Sequence, residues 1–565
     1  MQFNLKKQNI IQLSLTIAII LLICFISSFV YHRFDLTSEK RYTLSPESKE
    51  VLKNLDDVVF IKIYLDGDMP IGFKKLQNSI KDLLDEFRVV SKDNLQYEFI
   101  NPSEKTDKDA REKVYEDLYN KGLQPTNVQV KDKNGANTQQ ILFPGAIVNY
   151  KSLQMPINFL KNNQSLTAEE NLNNSLQGLE YELINCIKSL SAKKIQKVAF
   201  LEGDGELDQY QVADITRELA NYYQVDRGSI NAINCLDSYR AVIVANPQKA
   251  FSEYEKFVLD QYLMKGGKLL WLVNPVHVSM DSLSLGSSLA FVNSLNLDDQ
   301  LFRYGVRINP NLIQDMQCNT IPVNTALVGE QPKWTPSPWL YFPILSPPDN
   351  NPISRNLNML KSEFPSTIDT VGDDPAVRKT CLLMSSPYSK TISAPCLVRL
   401  SEITDKHNPY EFNKPNLTIG VLLEGKFQSA FKNRPLNNIL HNQSVTVKPV
   451  SVPTRMIVIS DGSMIRNDVR MSAQGPLISP LGYDKYTRQT FGNKEFILNA
   501  VNYLTDESGL MKLRSRQIKL RLLDRQAILQ DRLKWQLINT LAPVLLVMAF
   551  GVFSFWWRRR KYTRF

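Results

Sequence analysis

Apolar positions follow three different periods along this chain of 565 residues, and the changes of period mark out its parts. At the two ends they are unbroken: residues 10–31 run 22 positions, and residues 539–557 run 19, without an ionised side chain. At about 1.5 Å per residue, either run crosses a hydrocarbon core of about 30 Å as a helix. Lys6 and Lys7 precede the first run; Arg558, Arg559, Arg560, Lys561 and Arg564 follow the second. Cationic flanks resist translocation, so the pattern predicts two transmembrane helices with cytoplasmic tails at 1–9 and 558–565 and the body outside the cytoplasm. A cleaved signal would end in a small-x-small site, which Ile26-Ser27-Ser28-Phe29-Val30 does not supply. The first run is therefore expected to be an uncleaved anchor.

After it the period alternates between two and 3.6. Ser45-Pro46 places an N-cap and an N1 proline before a short helix bearing Val51, Leu52 and Leu55. Residues 58–65 read as a strand, and Ile80, Leu83, Leu84 and Phe87 share one helical face. Residues 95–100 form a second strand and 107–120 a charged helix. Two more strands, 126–131 and 140–150, turn at Lys133-Asn134-Gly135. This β-α-β-α-β-β order predicts a thioredoxin-like module over residues 35–165. Asp66-Gly67-Asp68-Met69-Pro70 stands where the redox thiols of such a fold would be, which excludes the redox chemistry. Thr167 and Glu170 make a capping box for a helix with Leu172, Leu176, Leu179, Leu183, Ile187 and Leu190 on one stripe, linking over residues 166–194.

From 195 to 508 the strands become wholly apolar. Val198-Ala199-Phe200-Leu201, Ala241-Val242-Ile243-Val244-Ala245, Leu269-Leu270-Trp271-Leu272-Val273 and Met456-Ile457-Val458-Ile459 alternate with helices. One helix opens on a Ser252–Glu255 capping box and stops at Gly266-Gly267; others cover residues 211–222 and 494–504. Continuous apolar strands mark a parallel sheet covered on both faces, so an α/β fold of flavodoxin or glutamine-amidotransferase type is expected. Between about 279 and 453 the rhythm is lost. Ten prolines from Pro310 to Pro365 predict an irregular, partly β insertion with a strand near 418–423. Residues 509–538 form a basic stalk, with a last strand at 518–522 and a helix from Asp524 into the second span.

Charge narrows the partners. Of the net +10, the tails carry +2 and +5 and residues 510–534 carry +6, which leaves the remainder at −3. A slightly acidic body offers no phosphate-neutralising face, so nucleic acid is excluded as a partner, and the cations serve topology and contact with inner-membrane lipid. Of six cysteines, Cys24 lies in the first span; the others have no metal-ligand spacing, and the whole chain has four histidines. Cys381 and Cys396 either pair in an oxidising compartment or are packed as small hydrophobes. No metal and no cofactor is expected.

Ligands of open α/β sheets bind beyond the carboxyl ends of the strands. The four clearest strands end in Glu202, Asn246, Asn274 and Asp461, with the Gly203-Asp204-Gly205-Glu206 loop beside them. Glu202, Asp204, Glu206, Asn246, Asn274 and Asp461 are therefore the candidate ligand-binding residues. No thiol or hydroxyl nucleophile occupies these positions, His277 has no evident partner, and no phosphate-binding GxxxxGK[ST] sequence is present. No catalytic residue is assigned. Glu202, Asp204 and Glu206 leave a glycan-cleaving carboxylate pair as the alternative, and a purely structural envelope scaffold as a further one.

The stretches at 198–206, 239–247 (Tyr239-Arg240-Ala241-Val242-Ile243-Val244-Ala245-Asn246-Pro247) and 265–272 (Lys265-Gly266-Gly267-Lys268-Leu269-Leu270-Trp271-Leu272), with Arg41-Tyr42-Thr43-Leu44-Ser45 and both terminal runs, resemble the auxiliary component of bacterial ABC transport systems. In particular the chain resembles the gliding-motility-associated substrate-binding component, the GldG family. Its middle module is similar to a domain shared with intraflagellar transport proteins. The GldG family often has His where this chain has Asp204. The resemblance implies a non-catalytic inner-membrane protein with a periplasmic body, working with a separate ABC ATPase subunit and a permease subunit.

Overall fold

The computed structural model describes residues 2–29, 43–104, 107–131, 137–161, 163, 166–192, 194–324, 326, 331, 333–349, 351–372, 374–436, 446–473, 475–515 and 531–562. It comprises one unit of residues 1–35 and 42–516 and a second of residues 36–41 and 517–565.

In the first unit, helix α1 (Gln2–Phe29) is followed by α2 (Pro46–Lys53), whose N-cap Ser45 accepts the Ser48 N–H. Strand β1 (Val59–Ile63), helix α3 (Ile71–Val90), strand β2 (Leu95–Phe99) and helix α4 (Lys108–Asn120) follow as their periods predict. Residues 140–150, expected as one strand, are parts of two. β3 (Thr126–Lys131) pairs with β4 (Asn137–Leu142) as a separate hairpin, and β5 (Gly145–Tyr150) enters the main sheet. Pro144, with no N–H to donate, breaks the run between them. The expected turn at 133–135 lies outside the described residues. β6 (Leu153–Asn158), which the sequence did not reveal, completes a sheet of order β2-β1-β5-β6, with β1 parallel to β2 and antiparallel to β5.

Helix α5 (Ala168–Ser191) opens on the Thr167–Glu170 capping box. It is more than a link. One apolar cluster runs from Ile61 and Leu84 through Leu183 and Ile187 to Phe200, Ile243 and Ile457, so α5 joins the core of the first sheet to one face of the second.

The second sheet begins with β7 (Lys197–Leu201), α6 (Ala213–Ala220), β8 (Gln224–Gly228), β9 (Ala241–Ala245), α7 (Glu253–Met264) and β10 (Lys268–Leu272). The Ser252–Glu255 capping box starts α7, and Gly266, at φ 103°, ends it by letting Gly267 donate back to Tyr262. The insertion contains β11 (Val276–His277), α8 (Met280–Ser284), β12 (Ser287–Val292), α9 (Asp298–Tyr304), β13 (Val306–Ile308), β14 (Asn311–Asp315), β15 (Cys318–Asn324), β16 (Trp334–Leu345), β17 (Leu360–Lys361), β18 (Ile368–Thr370), β19 (Val377–Met384), β20 (Ser389–Ser393), β21 (Cys396–Arg399) and β22 (Thr418–Gly425). Most of these strands form two- and three-stranded sheets around a core of their own that includes Leu283, Leu312, Trp339, Phe342 and Val398.

β22 and β19 depart from that pattern. With β23 (Thr454–Ile459) they extend the central sheet to the order β19-β22-β23-β10-β9-β7-β8. Five strands are parallel, but β22 runs antiparallel to β23, and β19 antiparallel to β22. The sheet is thus mixed rather than parallel, and the insertion supplies its edge. Alternate residues face two cores: Ile243, Leu270 and Ile457 look to one side, Val244, Trp271 and Val458 to the other. Beyond β23 lie two short hairpins, β24 (Val469–Ser472) with β25 (Gly475–Ile478) and β26 (Tyr483–Asp484) with β27 (Gln489–Thr490), then α10 (Asn493–Thr505) and a 3-10 turn at Leu510–Ser515.

In the second unit, α11 (Arg532–Tyr562) contains Arg532–Arg560, 29 residues long and apolar enough to cross a membrane. Among the described residues this is the one helix long and apolar enough to cross a membrane; α1 contributes a shorter apolar stretch there, Ile10–Cys24, so the expected second span is not shown. The last strand expected at 518–522 and the start of the stalk helix at Asp524 lie outside the described residues. Cys381 and Cys396 are free thiols on strands of different sheets.

Candidate functional site

The carboxyl ends of β7, β9, β10 and β23 lie side by side, and each is followed by a polar residue that the sheet holds in place. Glu202 after β7 is exposed, and its carboxylate meets the Arg227 guanidinium of β8 at 2.7 Å. The loop beyond it turns through Gly203 and Gly205, at φ 137° and 75°. Asp204 between them is 8% exposed, and its carbonyl accepts the N–H groups of Gln248 and Lys249 at 2.8 Å each, tying this loop to the one after β9. Burial, and then the charges of Glu255 and Glu206, push the Asp204 carboxyl up to about 6. Glu206 uses Oε2 to accept the Asp204 N–H at 2.8 Å, while its Oε1 is buried without a partner. Burial raises its pKa as well.

Asn246 after β9 sits in the left-handed region at φ 56°, which Asn tolerates better than most residues. Its N–H donates to the Leu272 carbonyl, and its Oδ1 accepts from Gln248 Nε2 at 3.0 Å. Asn274 after β10 accepts the Gly462 N–H at 2.7 Å. Gly462 passes so close to Asn246 that an added Cβ would stand 2.4 Å from its Oδ1. Asp461 after β23 is wholly buried. One carboxylate oxygen accepts from Ser362 Oγ and the Glu363 N–H, the other from Ser463 N–H and Oγ. Burial still raises its pKa, against those hydrogen bonds.

A cavity of about 270 Å³ opens at this edge, and Glu206, Asn246 and Asn274 line it. Glu202, Asp204 and Asp461 do not. Glu202 is taken up by Arg227, Asp204 ties two loops, and Asp461 caps the 3-10 turn Gly462–Ile465. The cavity recruits residues the sequence did not mark: Gln211, Gln248, Asn293, Glu363 and Arg466. His277, which the sequence left without a partner, also lines it and packs on Phe291, ring centroids 5.1 Å apart. Only proximity to a strand end could have signalled His277 and Arg466; Glu363 comes from the insertion.

A second cavity, of about 470 Å³, shares Met280, Glu363 and Arg466 with the first. At that shared waist Arg466 reaches Glu363 at 2.6 Å and Lys361 reaches it at 3.1 Å. Burial alone would raise the Glu363 carboxyl; Arg466 and Lys361 reverse this and hold it low. Among the described residues no three His, Cys, Asp or Glu side chains are grouped to hold a metal ion.

Residues 195–500 match a family model described as an ABC-type uncharacterized transport system, and residues 38–149 match one described as a domain of unknown function. An uncharacterized protein of Borreliella burgdorferi is 20% identical over 574 residues, covering 98% of this chain and 99% of its own. The solved mmIFT52 N-terminal domain aligns with 55% of this chain and 97% of its own length, at 14% identity and a TM-score of 0.31.

Proposed function

The chain belongs to the family of ABC-type uncharacterized transport systems, and from that membership we propose that it is a non-catalytic, membrane-anchored extracytoplasmic subunit of an ABC-type complex that binds a ligand at the carboxyl edge of its central sheet. An auxiliary domain of this kind makes it an accessory component of a transport system, and α11 associates it with a membrane. The finer reading has two spans, residues 10–31 and 539–557, both termini cytoplasmic and the body periplasmic. Its support is the cationic flank of each apolar run. The order β2-β1-β5-β6 supports reading residues 35–165 as a thioredoxin-like module without its thiols. The GldG-like stretches named above support a place in gliding motility or an allied export process. The partners are an ABC ATPase subunit, a polytopic permease subunit and inner-membrane lipid.

The observation that carries this proposal is the match over residues 195–500, the stretch that builds the seven-stranded sheet and its edge cavity. Glu206, Asn246 and Asn274 are the ligand contacts in that cavity, with Glu202, Asp204 and Asp461 holding the surrounding loops. Affinity purification of the tagged chain from native membranes in mild detergent tests it. An ATPase and a permease should co-purify in fixed proportion; recovery of the chain alone overturns the proposal.

A further inference from the structure

The two adjoining cavities differ in chemistry, and the difference defines a ligand. In the first, the Glu206 Oε1 acceptor is buried and unpaired. The side-chain amides of Asn246 and Asn274 use their oxygens within the protein, and their Nδ2 groups donate to no described residue. A hydroxyl group satisfies both demands at once, accepting from an amide and donating to the carboxylate. In the second cavity Leu283, Ile321, Val323, Trp334, Phe342 and Leu400 make an apolar wall. Trp334 is 66% exposed there, and the buried Thr320 hydroxyl, which lines the same cavity, has no partner. Three cations, Lys361, Arg466 and Lys485, face three carboxylates, Glu363, Asp468 and Asp484, around the second cavity, with Glu363 paired to both Arg466 and Lys361, so a bound molecule has no net charge to neutralise there. At about 270 and 470 Å³ the two spaces are of the order usual for small-molecule sites, roughly 300–1,000 Å³.

We propose that the joined cleft binds an uncharged amphiphile, with a polyhydroxyl head at Glu206, Asn246 and Asn274 and an alkyl chain along Val323, Trp334 and Phe342. The inference rests on the edge cavity being a ligand site, and it adds the chemical class of ligand and a second subsite. Such a molecule comes either free from solution or from the bilayer, and the shared chemistry is the same. The apolar wall binds by burying methylenes, and the polar end selects by leaving its donors and acceptor unpaired if the hydroxyls are missing.

The full chain in lipid nanodiscs, photolabelled with an octyl glucoside carrying a diazirine on its alkyl chain, tests this. Labelling should map to peptides within residues 318–345, and unlabelled octyl glucoside should compete. Glucose alone, and an alkyl sulfonate of the same length, should compete at least tenfold less well. Val323→Glu should cut the labelling at least tenfold. Trp334→Ala, at an exposed position, carries the same expectation with a fold that near-ultraviolet circular dichroism will verify. Labelling when the probe is added from solution and when it is preloaded in the bilayer separates the two sources; either one supports the site. Label confined to residues 532–560, or competition by glucose as strong as by octyl glucoside, overturns the inference. Because the co-purification of ATPase and permease is a separate measurement, this site can fail while the subunit assignment stands.

Discussion

Replacing Asp204 by Asn should stabilise the folded chain at neutral pH and leave it unchanged in acid. The Asp204 side chain is 8% exposed, and its carboxyl is pushed from 3.8 up to about 6 by burial, reinforced by the Glu255 and Glu206 charges. The folded state therefore binds this proton more tightly than the unfolded state. Stability associated with the neutral carboxyl is complete below pH 4 and is lost as pH rises through 6. At about 1.4 kcal/mol per pH unit the full difference is about 3 kcal/mol, and solvent screening at the surface loop reduces it to about 1–2 kcal/mol. Asn keeps the shape, and the backbone carbonyl that holds Gln248 and Lys249 is untouched. Urea unfolding of the full chain in mild detergent, followed by tryptophan fluorescence from pH 3.5 to 8, reads the effect. The variant and parent should coincide near pH 3.5, diverge between pH 4 and 6, and differ by a constant amount above pH 7, the variant being the more stable. A gap independent of pH, or a variant less stable at pH 7.5, would refute the reasoning, since either means the ionised carboxylate is not the strained species.

Three other substitutions test packing at the site and elsewhere in the fold. Gly462→Ala puts a Cβ 2.4 Å from Asn246 Oδ1 and should destabilise by about 1–3 kcal/mol, with loss of ligand binding at the edge cavity, measured by urea unfolding and by photolabel competition. Glu182→Gln removes the charge that pairs with Lys161 at 2.8 Å and attracts Arg514 at 3.8 Å, leaving two half-buried cations. A loss of about 1–2 kcal/mol is expected, between the values for exposed and buried pairs, visible as a lower midpoint of thermal unfolding. Asp260→Ala abandons the Tyr304 hydroxyl, the Ser429 hydroxyl and the Ala430 N–H at once, and should cost about 2–4 kcal/mol. It should also release the segment around residues 426–436, which hydrogen exchange of the Ala430 amide will detect.

The strands at β7, β9, β10 and β23 were legible because a strand buried on both faces must be apolar at every position, whatever lies beside it. Both capping boxes were legible for the same reason of locality: Thr167–Glu170 and Ser252–Glu255 are three residues apart. β19, reading Val-Arg-Lys-Thr-Cys-Leu-Leu-Met, was not, because an edge strand half exposed to water carries a mixed pattern and its partner β22 is set by the fold. β6 was hidden by Pro156 and by its exposed end. At the candidate site, the rule that ligands gather beyond strand ends named three residues that line a cavity, Glu206, Asn246 and Asn274. Of the other three, Glu202 is exposed but taken up by Arg227, while Asp204 and Asp461 are buried, and burial depends on residues far away in the chain. Asp461 looked like a free carboxylate because nothing near it in sequence shows that Ser362 and the Glu363 N–H will close over it.

That closure explains where the chemistry of the cleft is set. The sheet contributes its strand ends, the Asn246 and Asn274 amides among them, and the Glu206 loop. Glu363 and Phe364, between β17 and β18, come from the insertion; the Glu363 N–H to Asp461 holds them against the central sheet, and the Phe364 N–H to the Tyr341 carbonyl ties them to β16 of the insertion. The apolar wall of the second cavity comes almost wholly from β15, β16 and α8. Two strands of the same insertion, β19 and β22, cover what would otherwise be the open edge of β23, pairing its N–H and C=O groups. Residues between 279 and 453 thus stabilise the sheet edge and shape the site through separate contacts. Substitutions that alter the β15–β16 wall should change what the cleft accepts without disturbing the β22–β23 ladder, whereas substitutions in β22, which lines neither cavity, should act first on that ladder.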